Sequence, residues 1–162
     1  MAVMVRHLKE NLMNDPIFIT GKCHYASVTE PNTKFEPVWS IQVEVNDDNR
    51  SAIEGAGLNI SNKEDDRGDF VTIKRKVLRK DGTQRQPPIV KDSQNNLWGG
   101  KLIANGSTVN VKAIPFKWEY AGKSGVSADL AAVQVVDFIE YNEGGDFAPV
   151  EGGYVQEERV PF

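Results

Sequence analysis

Apolar residues in this chain recur at every second position, and that period limits the folds open to it more than any other feature. Trp39, Ile41, Val43 and Val45 alternate with Ser40, Gln42 and Glu44, so a strand over Val38–Val45 buries one face and wets the other. The segment from Pro16 to Val28 reads as a strand before it. Phe70–Leu78 follows, with Thr72, Lys74 and Lys76 on one face and Val71, Ile73, Arg75 and Val77 on the other. Ile89–Lys91 is a brief strand after Pro87-Pro88. The clearest hairpin runs Thr108–Tyr120, a loop Ala121–Gly125, and Ser127–Tyr141 returning. Strands of about 13 residues, where 5–6 is usual, must coil, and coiled strands close a small barrel. A single short helix is expected at Ser51–Glu54, behind the capping side chains of Asn46–Asn49 and stopped by Gly55 and Gly57. The fold class is all-β.

The 162 residues suit one domain with appendages, and a 40% apolar fraction supplies its core. The expected division is an N-terminal extension over 1–15, a folded domain over 16–141 and a flexible acidic tail over 142–162, which starts in a glycine-rich stretch. Cys23 is the one cysteine, so neither an internal disulfide nor a thiolate zinc site is expected. No apolar run approaches the roughly 18 residues that cross a bilayer, and Met1–Asn14 has no uninterrupted signal core, so the expectation is a soluble intracellular protein without membrane partners.

Charge is unevenly distributed. The net charge is −4, which excludes a uniformly basic protein. Yet residues 70–123 hold 11 basic side chains against Asp81, Asp92 and Glu119, net +8, while 140–162 hold six acids against Arg159, net −5. Motifs that would carry catalysis fail one by one. Gly122-Lys123-Ser124 lacks the glycine that a phosphate loop needs five residues earlier, where Lys117 stands, and Asp47-Asp48-Asn49 lacks the glycine and acid of a calcium loop. His7 and His24 show no metal-ligand spacing, so no enzyme chemistry, metal or cofactor is assigned.

What remains is a basic block interleaved with rings on strands, the combination that single-stranded nucleic acid requires: cations for the phosphates and flat faces for unpaired bases. Phe116, Trp118 and Tyr120 share one strand face with Lys112, while Val109, Val111, Ala113 and Pro115 are small and apolar enough to pack inward. The candidate contacts are therefore the rings Phe116, Trp118 and Tyr120, with Lys74, Arg75, Lys76, Arg79, Lys80, Lys112, Lys117 and Lys123 for the phosphates.

Pro115-Phe116-Lys117-Trp118, the glycine-containing loop after Tyr120, the strand from Ala128-Asp129-Leu130 to Val136-Asp137, the basic strand Lys74-Arg75-Lys76 and the acidic tail ending in phenylalanine together resemble the single-stranded DNA-binding proteins of tailed bacteriophages. The resemblance implies a five-stranded OB-fold Greek-key barrel. It places Lys74, Phe116 and Trp118 in a DNA groove, with a phosphate contact at Lys76 where some members carry an aromatic. It further implies coating of single-stranded DNA in replication or recombination, in the cytoplasm of an infected bacterium.

The closing residues Glu157, Glu158, Arg159, Val160, Pro161 and Phe162 are similar to the acidic Pro-Phe tips of bacterial single-stranded DNA-binding proteins. Such a tip offers a phenyl ring and a free carboxylate to an apolar pocket edged by Arg or Lys, which implies a polymerase, helicase or primase as partner. The same acidic segment could fold back over the basic block and compete with DNA. The alternatives are a β-barrel that meets protein through its aromatic face and an OB module for RNA, and a homodimer is left open.

Overall fold

The computed structural model describes residues 15–140 and 151–154; the N-terminal extension through Asn14 and the tail tip lie outside them. Among the described residues, seven strands and one helix follow in order: β1 (Ile17–Asn32), β2 (Val38–Glu44), α1 (Arg50–Ala56), β3 (Ser61–Asn62), β4 (Asp69–Lys76), β5 (Ile89–Lys91), β6 (Thr108–Tyr120) and β7 (Lys123–Asp137). Five of them close a barrel, because the sheet order β3-β4-β2-β1-β6-β7-β5 is completed by a parallel β4–β7 pairing. That Greek-key closure is the OB-fold expected above.

The period-two pattern is what fills the barrel. Ile19 and Cys23 of β1, Trp39, Ile41 and Val43 of β2, Val71 and Ile73 of β4, Val109, Val111 and Ala113 of β6 and Leu130 of β7 are all buried. Their alternating neighbours face outward. Burial raises the Cys23 thiol to about 11 and keeps it neutral at ordinary pH. Helix α1 adds the buried Ile53 to this core.

Several boundaries differ from the sequence reading. Strand β1 continues to Asn32, and β4 stops at Lys76, after which Val77 N–H donates to the Pro37 carbonyl at 3.1 Å. The helix is longer than expected, and its N-cap residue Asn49 makes no side-chain cap. Asn49 is instead buried, and its amide donates to the carbonyls of Thr20 and Glu44 at 3.0 and 2.9 Å, tying the helix to β1 and β2. Asn46 shapes the turn, its side-chain oxygen accepting from Asp48 and Asn49 N–H at 2.9 and 2.8 Å.

The β6–β7 connection is also tighter than the five-residue loop expected. Ala121 and Gly122 both have positive φ, 52° and 79°, as a type I′ two-residue turn requires. Ser124 and Gly125 therefore lie inside β7 and extend the ladder to Tyr120↔Lys123.

The seam between β4 and β7 rests on one bridge, Lys74↔Asp129. Arg75 reinforces it: Nε and Nη2 donate to the two Asp129 carboxylate oxygens at 3.0 and 2.6 Å. Arg85 lies 3.3 Å from the same carboxylate. A bidentate pair mostly shielded from water is the strong form of such a contact.

Candidate nucleic-acid interface

The site begins where β6 leaves the barrel. β1 pairs with β6 only as far as Ile17↔Ala113, so beyond that point β6 has β7 alone beside it. Pro115 stands two residues past the last β1 partner, at the kind of edge position where a strand proline is tolerated. From Phe116 to Tyr120 every residue is exposed, and the β6–β7 hairpin becomes an arm. Phe116, Trp118 and Tyr120 are 41%, 38% and 80% accessible and lie on its outward face. The rings are outside the core.

Gly125 sets the pose of the indole. It is the cross-strand partner of Trp118, and a Cβ there would sit 2.7 Å from Cζ2, 2.8 Å from Cε2 and 3.0 Å from Nε1 of the ring. The indole thus lies over a bare backbone, held on one side and open on the other. Lys123 faces Tyr120 at the tip, and Lys117 occupies the other face of the arm opposite Val126.

The register brings Lys74 toward this arm. Lys74 pairs with Asp129, which pairs with Ile114, two residues before Phe116. Two strand spacings and one two-residue step put Lys74 on the order of 12 Å from Phe116. On its other side Lys74 pairs with Ser40, and Ser40 with Ser27. A groove of about 840 Å³ opens over Ser27, Ser40, Gln42 and Asn32, bounded by the segments around Leu102 and Ile139. The β2–β4 face and the loops that flank it are where OB barrels take oligonucleotides.

The other predicted cations divide. Lys76 is exposed and 3.9 Å from Glu36, a contact too weak to hold it. Lys80 is exposed in a turn that Arg79 knits together by donating to Thr83 Oγ1 and the Gln84 carbonyl at 3.3 and 2.9 Å. Arg75 is engaged with Asp129 in the seam. Lys112 shares the outward parity of the rings but stands four residues down β6, beside Phe18 of β1 and Ala132 of β7. The tail residues 157–162 lie outside the described chain.

Two features of the site went unread in the sequence. The β1–β2 loop carries Phe35, 84% accessible, with Lys34 Nζ 5.8 Å from its ring centroid. This wall stands at the Lys76 end of β4, where Val77 meets Pro37, opposite the end that the arm flanks. A ring next to lysine in a proline-bounded loop was the available signal. Arg67 is the second. Its guanidinium lies 4.3 Å from the Phe70 ring centroid and 5.4 Å from that of Tyr25, and it donates to Gln42 Oε1 at 2.6 Å. Asp65 fixes it, and the hydrogen bonds from Arg67 lower the Asp65 carboxyl to about 2.

No protein-family model matches the sequence, and no curated protein does. Solved structures do match. The single-stranded DNA-binding protein gp2.5 of bacteriophage T7 aligns with a TM-score of 0.56 and 18% identity, over 88% of this chain and 99% of that one. The single-stranded DNA-binding protein of bacteriophage Enc34 aligns at 0.54 and 17%, over 80% and 85%. This chain has the fold of phage single-stranded DNA-binding proteins. The Enc34 protein in complex with single-stranded DNA aligns at 0.54 and 15% identity, over 77% and 88%. At these identities the likeness is one of fold, and the contacts rest on the geometry above.

Proposed function

We propose that this chain binds single-stranded DNA without sequence preference, by occupancy and not by turnover. The observation that carries the reading is the arm: three outward rings in series, with Lys123 beside Tyr120 at the tip and Lys117 on the arm's other face, projecting from a barrel whose adjacent face carries Lys74 and Lys76. Rings accept any base because every base has a flat face, and lysines accept any phosphate, so the chemistry is indifferent to sequence. The fold likeness to proteins described as single-stranded DNA-binding supports the reading.

With about five phosphates neutralised, a slope of about −0.7 per contact gives roughly 100-fold weaker binding at 200 than at 50 mM salt. Titration with oligo(dT), followed by tryptophan fluorescence at both salt concentrations, measures this directly. Salt-insensitive affinity refutes the electrostatic half of the reading, and no binding refutes the whole. Parallel titrations with oligo(U) and duplex DNA decide the nucleic-acid class.

The reading extends to coating and protecting single-stranded DNA in phage replication or recombination, in the cytoplasm of the infected host. The sequence of the tip, Glu157 to Phe162, supports recruitment of a polymerase, helicase or primase by a terminal ring and carboxylate. Removing residues 152–162 is expected to tighten DNA binding modestly and abolish partner capture. Unchanged affinity together with unchanged capture refutes the assignment.

A further inference from the structure

A second surface of the barrel has the same chemistry as the arm, and the proposed function does not use it. The register aligns one residue from each of four adjacent strands in a single row: Phe18 of β1, Lys112 of β6, Ala132 of β7 and Ile89 of β5. Each lies on the outward face of its strand, and Phe18 and Ile89 are 67% and 53% accessible. They line a pocket of about 280 Å³ that also takes in Lys91.

The next row is a ladder of amides. Thr20 Oγ1 donates to Asn110 Oδ1, Asn110 Nδ2 to Gln134 Oε1 at 2.8 Å, and Gln134 Nε2 to Asn95 Oδ1 at 3.1 Å. These bonds fix one border of the pocket, so its polar groups are oriented before anything enters. No acidic residue lines it, and neither Lys91 nor Lys112 forms an ion pair among the described residues.

We infer that this pocket is a further nucleotide subsite, in which an unpaired base stacks on Phe18 against Ile89 while Lys112 and Lys91 take the flanking phosphates. The inference rests on the proposed function and lengthens its site. Charge complementarity argues for the occupant: two cations without an ion pair among the described residues, in a lining that holds no acid, suit a phosphate, and an exposed ring on a fixed sheet suits a base. Continuity argues for the path. Lys112 and the three rings lie on the same outward face of β6, and the eight residues from Tyr120 to Lys112 span about 27 Å, so one strand of DNA following β6 meets the arm first and this pocket last. Site sizes of about 4–16 nucleotides per OB-fold allow that length.

The test compares short and long oligo(dT), of about 5 and about 16 nucleotides, on the full chain. Phe18→Ala, at an exposed position, is expected to weaken the long oligonucleotide about tenfold and leave the short one unchanged. Lys91→Ala/Lys112→Ala is expected to make the salt dependence of the long oligonucleotide shallower by about 1.4 in log–log slope, two contacts at 0.7 each. Wild-type affinity for the long oligonucleotide in both variants overturns the subsite, and if Trp118→Ala still weakens binding the proposed function stands. Loss of neither subsite nor arm contribution overturns both. Tighter binding by Phe18→Ala also overturns the subsite, because it means that a segment of the chain itself occupies the pocket and competes with DNA.

Discussion

Replacing Gly125 with alanine separates the position of the Trp118 indole from its presence. The new methyl would fall 2.7–3.0 Å from three ring atoms, whereas carbon atoms rest at about 3.5–4.0 Å, so the ring must shift by roughly 1 Å. A displacement of that size forfeits about a quarter to a half of a contact well. Applied to about 1–3 kcal/mol of stacking per base, the loss is about 0.25–1.5 kcal/mol, or roughly 1.5- to 13-fold in affinity. Stability should move the other way. Gly125 is not among the positive-φ positions, so alanine fits its backbone and restricts the unfolded chain, which typically adds about 0.4–1 kcal/mol. The assay is oligo(dT) titration beside thermal unfolding, with the emission of the free protein reporting the ring; of the three tryptophans, Trp39 is buried in the core and Trp98 packs on Phe138, while the atoms nearest the new methyl are those of Trp118, so an altered spectrum points to Trp118. Wild-type affinity with an altered spectrum refutes the ring as a base platform. A fall in stability as large as the fall in binding refutes it too, because the indole would then be part of the fold.

Asp129→Asn leaves Arg75 and Arg85 facing a neutral group at a seam with a single bridge, and should lower the unfolding free energy by about 2–3 kcal/mol in denaturant titration. Lys74→Ala should weaken oligo(dT) binding at low salt and reduce the log–log salt slope by about 0.7, with thermal stability unchanged. Phe35→Ala, on the wall opposite the arm, should cost about tenfold in affinity if its ring stacks a base; an unchanged affinity removes that loop from the interface. The Asp65 carboxyl, held at about 2 by Arg67, lies below its unfolded value near 3.9, so its contribution to stability is complete above about pH 4 and is lost as pH falls through about 2. Asp65→Asn should remove that part of the acid transition seen by circular dichroism; an identical profile would assign the transition to Asp69, Asp81 and Asp92, which are also held low.

Local pattern carried the barrel wall into view and long-range pairing did not. Val109, Val111 and Ala113 announce an inward face because each is small, apolar and two residues from the next. Lys74 and Trp118 were legible for the same reason, as outward members of alternating strands. Arg75 shows where the signal ends. Its face was readable, but its partner Asp129 lies 54 residues away and no local period records that meeting. Lys112 has the parity of the rings, yet the register shift between Lys112 and Ala113 and the pairing with Phe18 set it in a different neighbourhood. Phe35 sits in a loop, where no period exists, and the hairpin turn was read too long because alanine seldom takes the left-handed conformation that Ala121 adopts.

One strand thus does two jobs, and the division between them falls at a definable residue. Up to Ala113, β6 is clamped by β1 on one side and β7 on the other, and its inward side chains fill the barrel. After Pro115 it has β7 alone, nothing inward to fill, and rings exposed along its length. The barrel closes without the arm, since its β4–β7 seam is made at Asp129, below the hairpin tip. Substitutions from Phe116 to Tyr120 should therefore change ligand binding while leaving the unfolding transition in place, and substitutions from Val109 to Ala113 should do the reverse. A chain in which these two sets could not be separated would have its rings working as core, and the interface would have to be sought on the β2–β4 face alone.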